Sequence, residues 1–309
     1  MSLRGRSFIS MHDFDAEEIA TMLRVATRLK DELRAGKEHR LLRGRTLGMI
    51  FQKNSTRTRV SFEVGMGQLG GQALFLSSQD LQLNRGETIA DTARVLGRYL
   101  DGIMARTYAH ADVEDLARYS GVPVINGLSD LLHPCQGLAD LMTIQEKKGR
   151  LAGIKLAYMG DSNNVTHSLL QAGALMGMQV RVGSPAGYQP RPDILAQAHA
   201  LAARSGAEIR VVEDPVAAVR GADVIYTDTW ASMGQEAEHD QRVRLFRPYQ
   251  VDAALMAQAA PDALFMHCLP AHRGEEVTDQ VMDGPHSVIF DQAENRLHAQ
   301  KAILALIMR

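Results

Sequence analysis

The sequence Ser-Thr-Arg-Thr-Arg at residues 55–59 combines hydroxyl and guanidinium groups that could together bind an anion. It follows an apolar, strand-like segment at residues 46–51 and opens a predicted helix that ends at Leu69. The free backbone N–H groups and the dipole of a helix N-terminus favour a bound anion. Arginine adds a planar fork of donors that matches a phosphate or a carboxylate. This segment is therefore a candidate anion-binding site.

Two interpretations of this segment compete. A serine or threonine before a helix is usually only a helix cap, and arginines in a first helical turn usually reach solvent. Two hydroxyl residues that alternate with two arginines, directly after a buried-looking strand, favour anion binding instead. The segment lacks the glycine spacing of a Walker loop and of the G-x-G-x-x-G dinucleotide motif. The sequence thus predicts a site for a small phosphorylated compound and not for a nucleotide.

Other residues with reactive or ionisable side chains also lie where predicted strands end. Arg106 ends the predicted strand 102–106, and the sequence His-Pro-Cys-Gln at 133–136 opens a predicted helix. The segments at 161–164, 228–234 and 267–270 follow three later strands. Ligands of parallel sheets bind beyond the carboxyl ends of the strands. The shared position of these residues therefore favours functional roles.

Each of these residues also has an ordinary structural interpretation. His133 and Asp228 could cap helices. Cys268 could be a small buried residue and not a reactive one. Arg106 could be a surface arginine or the partner of a carboxylate. What favours function is that all of them end strands on one side of the predicted sheets.

The composition limits the kind of protein. The chain has 309 residues, 45% apolar and 23% charged, which is typical of a globular protein with two domains. A net charge of −2 predicts no nucleic-acid partner, and no apolar run is long enough to predict a membrane partner. Cys135 and Cys268 lie far apart, so we expect no disulfide and a cytoplasmic location. Common metal-binding motifs are lacking, so we expect no metal ion or other cofactor.

Short apolar segments alternate with helical segments along the whole chain, which predicts an α/β fold with two domains, each a mostly parallel β-sheet covered by helices. The predicted strands are residues 46–51, 72–76, 102–106, 122–126, 155–159, 179–183, 208–212, 224–227, 264–268 and 288–290. We expect the domains to comprise residues 1–148 and 149–309, with the division near the polar segment 147–153.

Four segments together resemble the signature segments of the transcarbamylases. They are Ser-Thr-Arg-Thr at 55–58, His-Pro-Cys-Gln at 133–136, Asp-x-x-x-Ser-Met-Gly at 228–234 and His-Cys-Leu-Pro at 267–270. They occur in the family's order, and the resemblance runs from Phe14 to the closing helix. The first two mark the family's carbamoyl-phosphate site. Ser-Met-Gly together with His-Cys-Leu-Pro marks its ornithine branch.

The resemblance implies transfer of the carbamoyl group of carbamoyl phosphate to the δ-amine of L-ornithine, which gives citrulline and phosphate. The expected context is arginine metabolism, with biosynthesis as the simplest direction. The last helix, residues 294–309, is expected to pack back on the first domain. The expected partners are the two substrates and further copies of the chain. A homotrimer with shared sites is implied, in which the loop that carries Gln82 reaches the neighbouring subunit's site.

The resemblance also implies a set of residues that bind carbamoyl phosphate: Ser55, Thr56, Arg57, Thr58, Gln82, Arg106, His133, Pro134, Cys135, Gln136, Cys268, Leu269 and Arg296. The residues at 55–58 are expected to hold the phosphate, and Arg106 and His133 to join Thr58 at the carbonyl oxygen. Gln136 and the backbone carbonyl of Cys268 or Leu269 could accept hydrogen bonds from the carbamoyl NH₂ group.

Ornithine brings an α-carboxylate, an α-ammonium and a δ-amine. The carboxylate suits the amide of Asn164 and backbone N–H groups near Ser232 and Met233, and the α-ammonium suits Asp228. The δ-amine has a pKa of about 10 and must lose a proton before it attacks. Either a Cys268 thiolate or the leaving phosphate could accept that proton, and the sequence does not choose. The implied catalytic residues are Arg106, His133 and Cys268.

Three other functions compete with this one. N-acetylornithine or putrescine could be the acceptor, but such enzymes should lack a complete Ser-Met-Gly segment. A dinucleotide-dependent oxidoreductase would need a glycine-rich turn after a strand, and the best candidate, residues 159–163, has one glycine. A non-catalytic sensor on the same fold should have lost part of the anion-binding set, which is complete in this sequence.

Overall fold

The chain forms two compact units in the computed structural model, which describes residues 2–231 and 238–309 without the side chains of Leu83 and Asn84. The first unit comprises Met1–Met142 and Glu294–Arg309, and the second comprises Thr143–Ala293. Each unit contains a parallel sheet with surrounding helices, so the predicted α/β fold class is confirmed. Within the described ranges, no helix is both long and apolar enough to cross a membrane.

The first unit has a four-stranded sheet in the order β2-β1-β3-β4. Its strands are β1 (Thr46–Phe51), β2 (Gln72–Ser77), β3 (Gly102–Arg106) and β4 (Val124–Leu128). Its helices are α1 (Ala16–Arg34), α2 (Thr56–Gln68), α3 (Ile89–Leu96), α4 (His110–Ser120) and most of α5 (Pro134–Lys148). The final helix, Ile289–Ile307, also lies mostly in this unit.

The second unit has a five-stranded sheet in the order β7-β6-β5-β8-β9. Its strands are β5 (Lys155–Met159), β6 (Gln179–Gly183), β7 (Glu208–Val212), β8 (Val224–Thr227) and β9 (Leu264–His267). Its helices are α6 (Asn164–Leu175), α7 (Pro192–Ser205), α8 (Pro215–Val219), α9 (His239–Phe246), α10 (Ala253–Met256), α11 (Asp279–Met282) and the start of α12 (Ile289–Ile307).

The central strands of the first sheet bring two candidate site segments to one edge. β1 and β3 are buried along nearly their whole length, because helices cover both faces of a parallel sheet and select continuous apolar sequences. The strands run in parallel, with Phe51 paired to Arg106. Helix α2 begins after a short loop that follows β1. The N-terminus of α2 and Arg106 therefore lie at the same edge of the sheet.

The predicted strand at residues 288–290 is wrong. Helix α12 begins at Ile289, and the Phe290 side chain is 70% exposed. Only the backbone N–H of Val288 makes a strand-like hydrogen bond, to the carbonyl of Phe265 at 3.0 Å. A short apolar run fits a strand and the start of a helix equally well, so its hydrophobicity alone could not separate the two.

Helix α9, His239–Phe246, was not predicted from the sequence. Its sequence, HDQRVRLF, is dominated by polar and charged residues, with only Arg242 and Phe246 buried. A helix with so narrow an apolar stripe lacks the periodic signal by which helices are recognised.

Glycine 97 is required by close helix packing in the first unit. It ends α3, and a Cβ atom there would lie 1.7 Å from the carbonyl oxygen of Ser120, at the end of α4. Gly67, inside α2, has no atom within 4 Å of the equivalent position. The two glycines therefore form a matched pair of sites for alanine substitution.

We predict that Gly97→Ala lowers the urea midpoint of unfolding, because relief of the overlap must separate two packed backbones at a cost of about 1–3 kcal/mol or more. Gly67→Ala should leave the midpoint unchanged or raise it, since alanine is favoured over glycine in a helix by up to about 1 kcal/mol. Equal midpoints for the two variants would contradict this account of the packing.

Candidate functional site

The N-terminus of α2 places hydroxyl groups beside the first backbone N–H groups of the helix. Ser55 is the N-cap, and its hydroxyl accepts a hydrogen bond from the backbone N–H of Thr58 at 3.3 Å. The same hydroxyl contacts the Thr58 hydroxyl at 3.2 Å. Thr58 is buried, whereas Thr56 is exposed. The cap interpretation of Ser55 is thus correct, and it is compatible with an anion at the same helix end.

The two arginines of this segment differ. Arg59 pairs with Glu63 one turn later at 3.0 Å, and its guanidinium lies 3.9 Å from the centre of the Phe75 ring. It therefore has a structural role on the helix surface. Arg57 is half-buried, and its charge acts on His133, which belongs to a different element.

His133 lies at the centre of a group of positive charges. It is buried directly before α5, where its carbonyl accepts from the backbone N–H groups of Gln136 and Gly137. Burial lowers the pKa of His133 well below its usual value, and the charges of Arg296, Arg106 and Arg57 lower it further. At neutral pH His133 is therefore uncharged, and it can donate or accept a single hydrogen bond at each ring nitrogen.

Arg296 connects α12 to this group. It is buried, and it donates to the Gln136 side-chain oxygen at 2.7 Å and to the Thr58 hydroxyl at 3.4 Å. The Gln136 amide in turn donates to the buried carboxylate of Asp140 at 2.8 Å. A surface salt bridge, the ordinary alternative for a helix arginine, does not describe this residue. The Gln136 oxygen keeps a second lone pair that could accept from a ligand.

Arg106 is placed by an irregularity in the sheet. The register between β3 and β4 shifts between Ala105 and Arg106, so Arg106 pairs with Leu128. The side chain is buried. Burial and the Arg106 charge lower the pKa of Lys53, which indicates a concentrated positive potential at this edge of the sheet.

Pro134 and Cys135 position the start of α5. Proline at the first helical position needs no hydrogen-bond acceptor for its nitrogen. The Cys135 thiol is buried and donates to the carbonyl of Asn126 in β4 at 3.4 Å, and burial raises its pKa to about 12. Cys135 is therefore an unreactive thiol, so any contribution it makes to ligand binding comes from its backbone.

In the second unit, Asp228 is held between an amide and a thiol. It is buried just after β8 and accepts from the Asn163 side chain at 2.7 Å and from the Cys268 thiol at 3.0 Å. The side-chain oxygen of Asn163 caps α6 by accepting from Val165 and Thr166. Asn163 was not assigned a role from the sequence, although an asparagine before an apolar helical run is a recognisable cap. Asn164 is the first residue of α6 and is half-buried.

An ion pair between Arg242 and Asp161 holds the chain that follows β8 in place. Arg242 of α9 binds the Asp161 carboxylate at 2.9 Å and the carbonyl of Trp230 at 3.1 Å. Burial raises the pKa of Asp161 to about 6, although the Arg242 charge opposes that rise. Sequence analysis missed Arg242, because its partner lies 81 residues away.

The loop after β9 carries Cys268 and Leu269. Leu269 has a positive φ of 61°, and its backbone N–H donates to the His267 ring at 2.8 Å. This contact holds the backbone of the loop at the carboxyl end of the sheet. Gln82 is exposed in a short 3₁₀ turn, Gln82–Arg85, of the first unit, and no described contact ties its side chain to the arginine group. Ser232 and Met233 lie outside the described residues.

The structure thus assembles the predicted residues in two groups, one in each unit. In the first unit, contacts or charge interactions connect Ser55, Arg57, Thr58, Arg106, His133, Gln136 and Arg296. In the second unit, Asp228 and Cys268 contact one another, and Asn163 precedes Asn164. The first group is rich in positive charge, and the second contains a buried carboxylate. Their ligand contacts remain predictions.

Fold and site together define a two-unit α/β protein with a site suited to a small anion. The profile described as "Aspartate/ornithine carbamoyltransferase, carbamoyl-P binding domain" matches residues 6–146. The profile described as "Aspartate/ornithine carbamoyltransferase, Asp/Orn binding domain" matches residues 152–307. The chain belongs to the aspartate/ornithine carbamoyltransferase family.

Individual relatives match over the full chain. An ornithine carbamoyltransferase of Thermococcus kodakarensis is 61% identical over 308 residues, which are 100% of this chain and 98% of the relative. An anabolic ornithine carbamoyltransferase of Pyrococcus furiosus is 62% identical with the same coverage. The solved structure of ornithine carbamoyltransferase from Pyrococcus furiosus has a TM-score of 0.97 over 100% of this chain and 98% of that one. The anabolic enzyme of Campylobacter jejuni has a TM-score of 0.92 at 44% identity, covering 97% of each chain.

We predict that His133 makes stability depend on pH below about 6.5. An unfolded histidine takes up a proton near pH 6.5 while His133 in the folded chain stays neutral, so the unfolded state binds more protons and stability falls as pH falls. This contribution has a limiting slope of about 1.4 kcal/mol per pH unit.

Urea unfolding between pH 7.5 and 5 measures this slope. His133→Asn should lose less stability over that range than the parent protein, whatever its absolute stability. His199→Asn, a change at an exposed position of α7, should keep the parent slope. An unaltered slope in His133→Asn would contradict a neutral, buried imidazole.

Proposed function

We propose that this protein transfers the carbamoyl group of carbamoyl phosphate to the δ-amine of L-ornithine, giving L-citrulline and phosphate. The observation that carries the proposal is the group of three arginines around neutral His133 at the N-terminus of α2. This group lies within the residues that match the carbamoyl-phosphate-binding profile. Relatives about 60% identical over the full chain bear the name ornithine carbamoyltransferase.

Carbamoyl phosphate binds through its phosphate at residues 55–58. The helix end supplies backbone N–H groups and hydroxyls, and Arg57 supplies a guanidinium for the phosphate oxygens. The carbonyl oxygen faces Arg106, His133 and Thr58. As the amine attacks, negative charge develops on that oxygen, and donors already held in place stabilise it more than they stabilise the substrate. A neutral His133 can donate there without adding to the repulsion among the arginines.

The carbamoyl NH₂ group donates to acceptors. Gln136 fits this role, because Arg296 and Asp140 fix the orientation of its amide and leave a lone pair on the oxygen. The backbone carbonyls of Cys268 and Leu269 are proposed as further acceptors, and Gln82 as a ligand from a neighbouring subunit. Pro134 and Cys135 support the binding segment through the backbone of α5.

Ornithine binds through its charged ends. The buried Asp228 suits the α-ammonium, since Asn163 and Cys268 donate neutral hydrogen bonds to it. Its negative charge has no cationic partner among the residues that the structure describes. The α-carboxylate binds the amide of Asn164. Backbone N–H groups of Ser232 and Met233 are proposed to join it.

The proton of the δ-amine has two candidate acceptors. The Cys268 thiol donates its hydrogen to Asp228, so in this arrangement it is an S–H group and orients the carboxylate. Leaving phosphate gains basicity as the bond to the carbamoyl carbon breaks. We therefore favour the phosphate as the proton acceptor and assign Cys268 to substrate orientation.

Several broader features belong to the same proposal. Residues 1–148 form the carbamoyl-phosphate domain and residues 149–309 the ornithine domain, with residues 294–309 returning to the first. The reaction runs in the biosynthetic direction of arginine metabolism, in keeping with relatives named anabolic. The chain works as a homotrimer in the cytoplasm, and both of its cysteines are free thiols, as that compartment favours.

The direct test is release of citrulline and phosphate from carbamoyl phosphate with L-ornithine, measured beside N-acetylornithine, putrescine and L-aspartate. We expect turnover with L-ornithine alone. Turnover with another acceptor would support carbamoyl phosphate as the donor substrate and contradict L-ornithine as the acceptor. No turnover with any acceptor, from protein that unfolds cooperatively, would contradict catalysis and favour a sensor.

We predict that Arg57→Ala weakens binding of carbamoyl phosphate at least about ten-fold, because a charge-assisted arginine contact to phosphate is worth about 1.5–3 kcal/mol. Arg59→Ala is the matched control. It removes the same charge two residues later, but Arg59 is occupied by Glu63 and Phe75 and should leave binding nearly unchanged. Calorimetric titration measures both, and equal losses would contradict the different roles of the two arginines.

A further inference from the structure

A cluster of histidine and glutamate side chains lies in the second unit, apart from the residues assigned to ornithine. It contains His272, Glu275 and Glu276, which follow β9, and His239, the first residue of α9. His239 Nε2 lies 3.1 Å from Glu275 Oε2. His272 Nδ1 lies 3.9 Å from Glu275 Oε2 and 3.9 Å from Glu276 Oε2. Ligand atoms of His272, Glu275 and Glu276 thus lie within 4.8 Å of one another, and His239 approaches this group from a second segment through its contact with Glu275.

Glu276 supplies the observation that points to a ligand. Its side chain is fully buried, and its Oε1 accepts from His267 Nε2 at 3.2 Å and from the backbone N–H of His272 at 2.6 Å. Its Oε2 is also buried and makes no hydrogen bond to any of the residues that the structure describes. A buried carboxylate oxygen without a hydrogen bond lowers the stability of the fold unless it contacts a donor or a cation. The ionisable group beside Glu276 Oε2 is the His272 ring, whose Nδ1 lies 3.9 Å away.

We propose that His239, His272, Glu275 and Glu276 bind a divalent transition-metal ion of the zinc class. Two imidazole nitrogens with two carboxylate oxygens suit Zn²⁺ or Co²⁺, whereas Mg²⁺ and Ca²⁺ prefer oxygen ligands alone. Neighbouring ligand atoms of a tetrahedral zinc site lie roughly 3.3 Å apart, given Zn–N and Zn–O distances of about 2.0–2.2 Å. The separations of 3.1 and 3.9 Å are close to that value. The centres of the two histidine rings lie 6.5 Å apart, so the His239 ring must move toward His272 and Glu276 to complete the site.

A neighbouring group, Asp228, His267 and Cys268, also has ligand atoms within 4.8 Å of one another. It is less suited to a metal ion, because both ring nitrogens of His267 are already engaged. Nε2 contacts Glu276, and Nδ1 accepts from the backbone of Leu269. The thiol of Cys268 and the carboxylate of Asp228 are paired with one another.

Metal binding at the proposed site would connect two segments that adjoin the residues assigned to ornithine binding. His239 begins the helix that follows residues 232–237, and the other three ligands belong to the loop that follows Cys268 and Leu269. A bound ion would replace the hydrogen bond between His239 and Glu275 with metal–ligand bonds to both side chains. A metal ion at this site could therefore change the affinity for ornithine without taking part in the chemical step.

The test is calorimetric titration of ZnCl₂ into the full-length protein after treatment with a chelator. We expect one Zn²⁺ per chain, and a visible absorption spectrum of four-coordinate type when CoCl₂ is used instead. His239→Ala, His272→Ala and Glu275→Gln should each weaken Zn²⁺ binding at least about ten-fold. His199→Ala, an exposed histidine of α7, should bind Zn²⁺ like the parent protein.

Two results would overturn the proposal. One is Zn²⁺ binding that is equal in the parent, His239→Ala and His272→Ala proteins, including the case of no binding in any of them. The other is binding that persists in these variants but is lost in Cys268→Ser, which would assign the ion to the neighbouring group. Urea midpoints measured without metal should match the parent, which separates loss of a ligand from loss of the fold.

Discussion

The proposed anion site depends on holding three guanidinium groups around one buried, uncharged imidazole. Two unit charges 6 Å apart repel by roughly 3 kcal/mol at an effective dielectric constant of 20. The fold resists this repulsion by taking the arginines from different elements, so that each is fixed by its own strand or helix. Arg57 comes from α2, Arg106 from the end of β3 and Arg296 from α12. A doubly charged phosphate would relieve the repulsion, and the site therefore favours that ligand.

His133 and Gln136 limit the repulsion among the three arginines. A protonated His133 would add a fourth positive charge, and the depressed pKa prevents this at neutral pH. The Gln136 oxygen accepts a hydrogen bond from Arg296, and the Gln136 amide donates one to the Asp140 carboxylate. The neutral Gln136 side chain thus connects the positive charge of Arg296 to the carboxylate of Asp140. Both residues lie in the first turn of α5 or directly before it. One short segment thus controls charge and orientation together.

The second unit has the opposite electrostatic character. Asp228 receives hydrogen bonds from neutral groups, which stabilise the carboxylate without neutralising it. Arg242, by contrast, is committed to Asp161 and to the carbonyl of Trp230. A cationic group is therefore the ligand that suits Asp228. The two units thus differ in charge: the first gathers arginines around His133, and the second holds the Asp228 carboxylate among neutral donors.

Sequence analysis predicted the central strands well and long-range contacts poorly. β1, β3 and β5 have the predicted bounds, because strands buried on both faces are continuous apolar runs with polar ends. The strand at 288–290 failed, since three apolar residues also suit the first turn of a buried helix. The signature segments contain Arg57, His133 and Gln136, which the structure brings together with Arg106 and Arg296. The contact between Arg296 and Gln136 joins residues 160 positions apart, and the pairing of His239 with Glu275 joins two polar segments, so no local pattern encodes either.

We propose that carbamoyl phosphate binds at the N-terminus of α2 with its carbonyl oxygen toward Arg106 and His133. A crystal structure of the protein with a phosphonate analogue of carbamoyl phosphate tests this most directly. We expect phosphonate oxygens within hydrogen-bonding distance of the residue 55–58 backbone and of Arg57, and the analogue's carbonyl oxygen in contact with Arg106 and the His133 ring. A phosphonate bound away from α2, or a carbonyl oxygen that contacts neither Arg106 nor His133, would contradict it.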